Sequence, residues 1–244
     1  MHVHRTDVEK AVGQENAAIF GRSEDSVEVR LENFPKYVRR QHLKRFLSMY
    51  ELFKRVVPVK GSVVECGVLR GFGLMSWAKL STILEPENLT RRIYGFDTFS
   101  GFPTVDKKDG SAFAKSSVGD LSAPCDDELR ELIGQYDRDR FLGHIPKVEL
   151  VKGDITKTAP EFVKTHPHLV VSLLFIDCDL FEPTKAALEA FLSRMPRGAI
   201  LAFDELDNPI WPGETLAVLE AMGLRSLRLQ RLEWDPYIAF AEIE

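Results

Sequence analysis

Two short stretches of this 244-residue chain place carboxylates where a buried strand runs out. In LFIDCDLFEPTK (174–185), Asp177 and Asp179 follow the apolar run Leu173, Leu174, Phe175 and Ile176. In AILAFDELDNPIWPGE (199–214), Asp204 and Glu205 follow a second such run. Charge pairs at the ends of buried strands cost solvation, so they call for a chemical reason. Crowded carboxylates hold protons more readily than isolated ones and can take a proton from a substrate. Their oxygens are also the ligands that a hard divalent cation prefers.

A third stretch, VVECGVLRGFG (63–73), sets Gly67, Gly71 and Gly73 between an apolar run and a helical one. Glycines there let the backbone approach a ligand, and a helix N-terminus supplies unpaired N–H donors. A nicotinamide dinucleotide fold has a similar turn, but the spacing is not G-x-G-x-x-G. Glu65, two residues before the first glycine, repels a pyrophosphate and suits a cationic ligand such as a sulfonium or an amino group. Asp97 ends the next apolar run and can accept from two ribose hydroxyls. Gly153-Asp154 ends the one after, beside the place of an adenine. Read singly, Asp97 and Asp154 are equally good as turn or cap residues; in register after consecutive strands they read as a site.

The elements that must position these residues follow from hydrophobic period. Residues 36–57 carry Leu43, Phe46, Leu47, Tyr50 and Phe53 at spacings of three and four, a helix that Pro58 ends. Beyond it, apolar runs at 62–68, 92–99, 147–154, 169–177 and 198–205 read as strands. Helical stretches at 73–84, 182–195 and 213–223 stand among them, and 225–232 and 237–244 read as two closing strands. Strands alternating with helices imply parallel units covered on both faces, while the last two strands are too close in sequence for a crossover and must be antiparallel. The expected fold is α/β: a doubly wound sheet of about seven strands, ligand at the carboxyl ends. The expected organisation is an N-terminal helical extension, 1–58, and one larger domain, 59–244.

Composition narrows the function. A net charge of −5 gives no bulk electrostatic case for nucleic acid or an anionic membrane. No apolar run reaches the roughly 18–20 residues of a membrane span, and the polar start MHVHRTDVEKAVGQEN lacks a signal-peptide core. Cys66, Cys125 and Cys178 are odd in number and far apart, the pattern of a reduced, cytoplasmic protein. His166-Pro167-His168 looks like a chelating pair but falls in a loop-like stretch and reads as a solvated connection.

Taken together, GSVVECGVLRG, YGFDTFSGFP, LFIDCDLFEPTKAALE and GAILAFDEL...WPGE resemble the macrocin O-methyltransferase family across roughly residues 36–230. The resemblance implies a class I, Rossmann-like methyltransferase that uses S-adenosylmethionine and Mg2+ to methylate sugar hydroxyls. It implies that Glu65, Gly67, Arg70 and Gly71 contact the methionine part of the cofactor, Asp97 and Ser100 the ribose side, and Asp154 and Ile155 the adenine. It also implies a metal held after the fourth and fifth strands, by Asp177, Asp204 and Glu205. The family pattern after the fifth strand is Asp-Asp, so Glu205 is one methylene longer than its counterpart. The remaining positions on the ion suit a sugar diol, and lowering the pKa of the bound hydroxyl prepares it to attack the sulfonium methyl. Asp177 then acts as ligand and base, and Asp179 orients the substrate or shares the proton. Asp179 also suits a helix N-terminus as a simple charge.

Three further stretches bear on the acceptor. Residues 101–132, rich in Gly, Ser and Asp, form a long connection read as a lid. Trp211 can stack on an apolar sugar face or pack in the core. Arg39, Arg40, Lys44 and Arg45 can bind a nucleotide diphosphate, though a solvated helix face explains them as well. Rival readings are a catechol-like vicinal diol as acceptor, an NAD-dependent oxidoreductase, and a non-catalytic module. The resemblance further implies a homodimer or larger homo-oligomer.

Overall fold

The computed structural model describes residues 6–113 and 115–244. They divide into two compact units, one running through Leu47 and the other Ser48–Glu244. The first contains helix α1 (Asp7–Gly21), the short helix α2 (Val27–Glu32), a 3-10 turn (Phe34–Lys36) and the start of α3 (Arg40–Val56). Thr6 and Glu9 cap α1 reciprocally, Phe20 meets Tyr37 edge-on at 5.0 Å, and the Arg30 guanidinium lies 4.5 Å over the Phe20 ring. Neither α1 nor α2 buries a residue, which is why this part of the sequence carries no apolar period.

The second unit is a seven-stranded sheet flanked by helices. In chain order it runs β1 (Ser62–Cys66), α4 (Phe72–Leu84), β2 (Ile93–Asp97), α5 (Asp126–Arg138), β3 (Val148–Lys152), α6 (Ile155–Thr165), β4 (Val171–Ile176), α7 (Phe181–Phe191), β5 (Ile200–Phe203), α8 (Pro212–Ala221), β6 (Gln230–Arg231) and β7 (Ala239–Glu242). The sheet order is β3-β2-β1-β4-β5-β7-β6. The first five strands are parallel, and β7 is antiparallel to both β5 and β6. Among the described residues no helix is long and apolar enough to cross a membrane.

Some elements differ from expectation. The stretch 225–232 is mainly a 3-10 turn (Leu224–Ser226) followed by a two-residue strand, because it pairs only with β7 at the sheet edge. Helix α5 occupies the end of the long connection; its Leu129 and Tyr136 turn inward while Asp126, Asp127 and Glu128 favour its N-terminus. Helix α6 forms despite Pro160 inside it, with Asp154 as its N-cap. Ala114, within the connection, lies outside the described residues, as do residues 1–5 of the polar N-terminus.

Strands β1, β4 and β5 are buried throughout, as covering both faces of a parallel sheet requires. On one face Val64, Phe96, Leu174, Ile176 and Phe203 pack with Phe162, Leu188, Phe191 and Val218 of α6, α7 and α8. On the other, Trp77 of α4 stacks on Phe53 at 6.4 Å and meets Phe175 of β4 at 5.6 Å.

The sheet reverses its winding between β1 and β4, which makes the carboxyl ends of these two strands the crevice for a ligand. The register there is tight. Cys66 aligns with Phe96 and Ile176, and Ile176 with Phe203. The next residues, Gly67, Asp97, Asp177 and Asp204, therefore leave the sheet side by side. Backbone bonds continue past the strands: Gly67 N–H donates to Phe96 O at 2.9 Å, Asp177 N–H to Cys66 O at 2.8 Å, and Asp204 N–H to Ile176 O at 3.1 Å.

The opposite ends of these strands are tied by Arg91, which is 2% exposed. Its guanidinium donates to Glu85 at 2.7 Å, Gly61 O at 2.8 Å, Val56 O at 2.9 Å, Val59 O at 3.0 Å and the Ser172 hydroxyl. Replacing it with alanine removes the ion-pair partner of Glu85 and leaves several carbonyls without their donor. Arg91→Ala should cost about 3–5 kcal/mol of unfolding free energy in urea titration; a change below about 1 kcal/mol would contradict this role.

Candidate active site

The first glycine is demanded by chain crossing. Gly67 has φ +95°, and a Cβ there would run into the carbonyl oxygen of Asp177. Only glycine allows β1 and the chain leaving β4 to approach this closely. Gly71, at φ +82°, stands at the N-cap of α4 against Leu129 of α5. A Cβ on Gly73 would meet Glu65 Oε1, so the buried Glu65 carboxylate lies against the first turn of α4. That end of the helix dipole favours negative charge.

Asp97 anchors the loop between β1 and α4. Its Oδ2 accepts the N–H groups of Val68 and Leu69, both at 2.8 Å, and its Oδ1 accepts the Phe99 N–H at 2.7 Å. Leu69 and Phe99 both have positive φ, 51° and 57°, so these bonds hold two strained turns. Arg70 and Ser100 are exposed beside them. Gly153 N–H donates to Asp97 O at 2.8 Å, which sets Asp154 next to Asp97. The Asp154 side chain accepts from the Thr156 N–H at 3.0 Å and its hydroxyl at 2.7 Å. Burial pushes this carboxyl up, but Thr156 and Lys157 pull it below its ordinary value. Ile155 is buried in the core with Tyr94, Phe96 and Phe162.

The acidic end lies across the crevice. Asp177 is half-buried; Asp179, Asp204 and Glu205 are buried. Asp179 has φ +62°, a left-handed conformation that aspartate tolerates better than most residues. The Glu205 carboxylate accepts from the Asn208 amide, while the Glu205 N–H donates to Glu214 Oε1 at 2.9 Å. Glu214, in the first turn of α8, is completely buried, and its Oε2 has no hydrogen-bond partner among the described residues. Burial pushes its carboxyl well above the ordinary range. The Glu205 N–H opposes this, and the charges of Asp177, Asp204 and Asp179 add to it. Five carboxylates, those of Asp177, Asp179, Asp204, Glu205 and Glu214, thus share one region. Among the described residues, no three His, Cys, Asp or Glu side chains are gathered into a ready metal-ligand set. Asp177, Asp204 and Glu205, expected as three ligands, share the region without closing on one point.

The long connection after β2 runs over the same end. Trp211 packs edge-on against Phe102 of that connection at 6.0 Å. Asp109 is buried, and its carboxylate accepts the Phe181 N–H at 2.6 Å and the Asp106 N–H at 2.7 Å.

A family model described as macrocin-O-methyltransferase (TylF) matches residues 38–220. The chain belongs to this family. It is an O-methyltransferase, which sets aside the dehydrogenase and non-catalytic readings. In structure it is similar to CalS11, a calicheamicin methyltransferase, at 36% identity and TM-score 0.93, over 98% of this chain and 94% of that one. The apo form of CalS11, a TDP-rhamnose 3'-O-methyltransferase, is similar at 34% identity and TM-score 0.86, over 98% and 96%. The O-methyltransferase NovP shares the fold at 22% identity and TM-score 0.65, over 82% and 79%. No curated protein matches the chain.

Two buried acids of this macrocin-O-methyltransferase family member escape a reading of the sequence. Glu214 sits in the quoted WPGE but reads there as an ordinary acidic residue of a first helical turn. Asp109 lies in a polar stretch where aspartates normally face water. The only signal at either position is local: Gly213 beside Glu214, and the D-x-x-D spacing of Asp106 and Asp109.

The Glu214 environment has a pH consequence. With its folded carboxyl raised, the folded protein keeps a proton that the unfolded chain has released above about 4.5. This group therefore removes stability as pH rises from that value. Glu214→Gln keeps a carbonyl for the Glu205 N–H and cannot ionise. In the presence of a chelator, its stability relative to the parent should increase from about pH 5 to about pH 8. Thermal unfolding across this range reads the difference; a pH-independent difference would count against the assignment.

Proposed function

We propose that the enzyme transfers the methyl group of S-adenosylmethionine to a sugar hydroxyl, with Mg2+ as the assisting ion. One observation carries the reading: a cofactor-type glycine loop and a group of carboxylates share one row at the switch point of the sheet. The sugar acceptor is supported by the family's description and by the TDP-rhamnose methyltransferase among the similar structures.

In this reading Glu65 and the loop 67–71 hold the methionine part of the cofactor, with Arg70 at its carboxylate. Asp97 and Ser100 face the ribose, and Asp154 and Ile155 border the adenine. An all-oxygen donor set suits Mg2+, which commonly takes one or two carboxylates and leaves its other positions to water and substrate. Asp177 and Asp204 are the residues to hold it, with Glu205 near them through the 204–205 backbone. Glu214 is raised mainly by burial, and a cation there would offset the charges of Asp177 and Asp204 that add to it. Bound, it supplies Lewis acidity that lowers the pKa of the acceptor hydroxyl. Asp177, or Asp179 beside it, takes the hydroxyl proton. The oxygen forms its bond to the methyl carbon as the carbon–sulfur bond breaks, and the electron pair stays on sulfur to leave S-adenosylhomocysteine. Asp179 and Trp211 orient the acceptor. Positioning supplies most of the rate.

Methyl transfer to TDP-rhamnose and related nucleotide sugars, with and without chelator, tests the reading. Asp177→Asn should abolish turnover while S-adenosylmethionine still binds in calorimetry. Full activity after exhaustive chelation would remove Mg2+ from the mechanism. Glu65→Ala should weaken cofactor binding by about 1–3 kcal/mol; unchanged affinity in the folded variant would remove Glu65 from the cofactor site.

A further inference from the structure

We propose that Asp109 is a positioning residue of methyl transfer: from the long connection after β2 it caps helix α7, and so makes the seating of that connection and the shape of the Asp179 turn a single event. The functional consequence rests on the reading of Asp179 given above; the structural coupling does not.

Helix α7 starts at Phe181 behind Leu180, whose side chain cannot accept a hydrogen bond, and no local side chain caps it. The cap comes from far away in sequence. Asp109 Oδ1 takes the Phe181 N–H at 2.6 Å across 72 positions. The other oxygen, Oδ2, takes the Asp106 N–H at 2.7 Å and closes the 3-10 turn Lys107–Asp109, while the Asp106 carboxylate accepts the Lys108 N–H at 2.8 Å. One carboxylate therefore bridges the connection and the helix, at 2% exposure.

The surroundings fit this bridge closely. A Cβ on Gly213 would collide with Asp109 Oδ1 and with the Phe181 nitrogen, so the start of α8 packs directly on it. The neighbouring Lys108 pairs with Glu220 of α8 at 2.6 Å and lies 3.6 Å over the Phe181 ring.

What the bridge holds is two residues upstream. Asp179 is buried at φ +62°, and Leu180 N–H closes back on Cys178 O at 2.7 Å. A left-handed aspartate persists only where its surroundings over-determine it. The Phe181–Asp109 bond fixes the chain immediately after this turn. A Ser or Asn at position 180 could accept only the Glu182 N–H, because the third helical residue, Pro183, has none; the Phe181 N–H needs a partner from elsewhere. Placing the cap on the connection makes it conditional on the connection being in place over the site.

The test compares Asp109→Ala, Asp109→Asn and Gly213→Ala with the parent by amide hydrogen exchange over 177–182, cofactor calorimetry and steady-state kinetics. Asp109→Ala should raise exchange at these amides about tenfold or more, the factor for losing one buried bond to a charged group. It should lower kcat with cofactor affinity retained, because the cofactor end lies on β1 to β3. Asp109→Asn keeps a carbonyl for Phe181 and should recover the protection and part of kcat. Gly213→Ala, which displaces the bridge from the α8 side, should reproduce the alanine phenotype and decides the matter if Asp109→Ala does not fold. Unchanged exchange over 177–182 overturns the proposal. So does raised exchange with unchanged kcat, or loss of kcat and cofactor affinity in parallel. If the parent methylates no sugar, the acceptor reading fails, and the exchange comparison still decides the coupling.

Discussion

The close approach of two chains at the switch point is the constraint on which the rest of this structure depends. The chain leaving β1 and the chain leaving β4 pass so near each other that only glycine fits at position 67. Parallel register on both sides of that crossing then brings Asp97, Asp177 and Asp204 out in one row. A one-residue slip in any of these strands would turn its apolar set to the wrong face and carry its carboxylate away from the others. The buried Arg91 bonds at the opposite strand ends hold the same register from below.

The row sets two chemical environments a few residues apart. On the β1–β2 side, carboxylates are balanced by backbone donors: Asp97 accepts three N–H groups, and Glu65 lies at the start of α4. On the β4–β5 side, burial forces Glu214 well above its ordinary range, and the charges of Asp177, Asp204 and Asp179 add to it. The first arrangement suits binding a cationic, hydroxyl-rich cofactor; the second suits proton transfer and a hard cation. Concentrating like charge in a buried region costs stability, a cost that proteins commonly carry at functional sites.

The long connection after β2 packs over the candidate site and is more than a spacer. Its Phe102 meets Trp211, its Lys108 pairs with α8, and its Asp109 completes α7. Loops that carry function are commonly held by a rigid scaffold. Here the dependence also runs the other way, since a helix of the scaffold is capped by the loop.

Much of this was legible in the residues. Apolar runs and their spacing determined the alternation of strands and helices, the antiparallel close of the sheet and the placement of Asp177, Asp204 and Asp97 at strand ends. That legibility is physical: a strand covered on both faces must be continuously apolar, and its charges can stand only where it ends. Three things were not legible. Helix α5 ends a long connection rich in Gly, Ser and Asp, and α6 carries Pro160 inside it; both are held by tertiary packing of Leu129, Tyr136, Ala159 and Phe162. The demand for glycine at 67 arises from a carbonyl 110 positions away, at Asp177. The roles of Asp109 and Glu214 exist only through burial, and burial is decided by which segments the fold stacks upon them. The sequence by itself determined which residues could do chemistry and at which end of the sheet. Only the tertiary structure decided which carboxylates are buried together and which backbone groups they hold, because those depend on contacts between segments far apart in the chain.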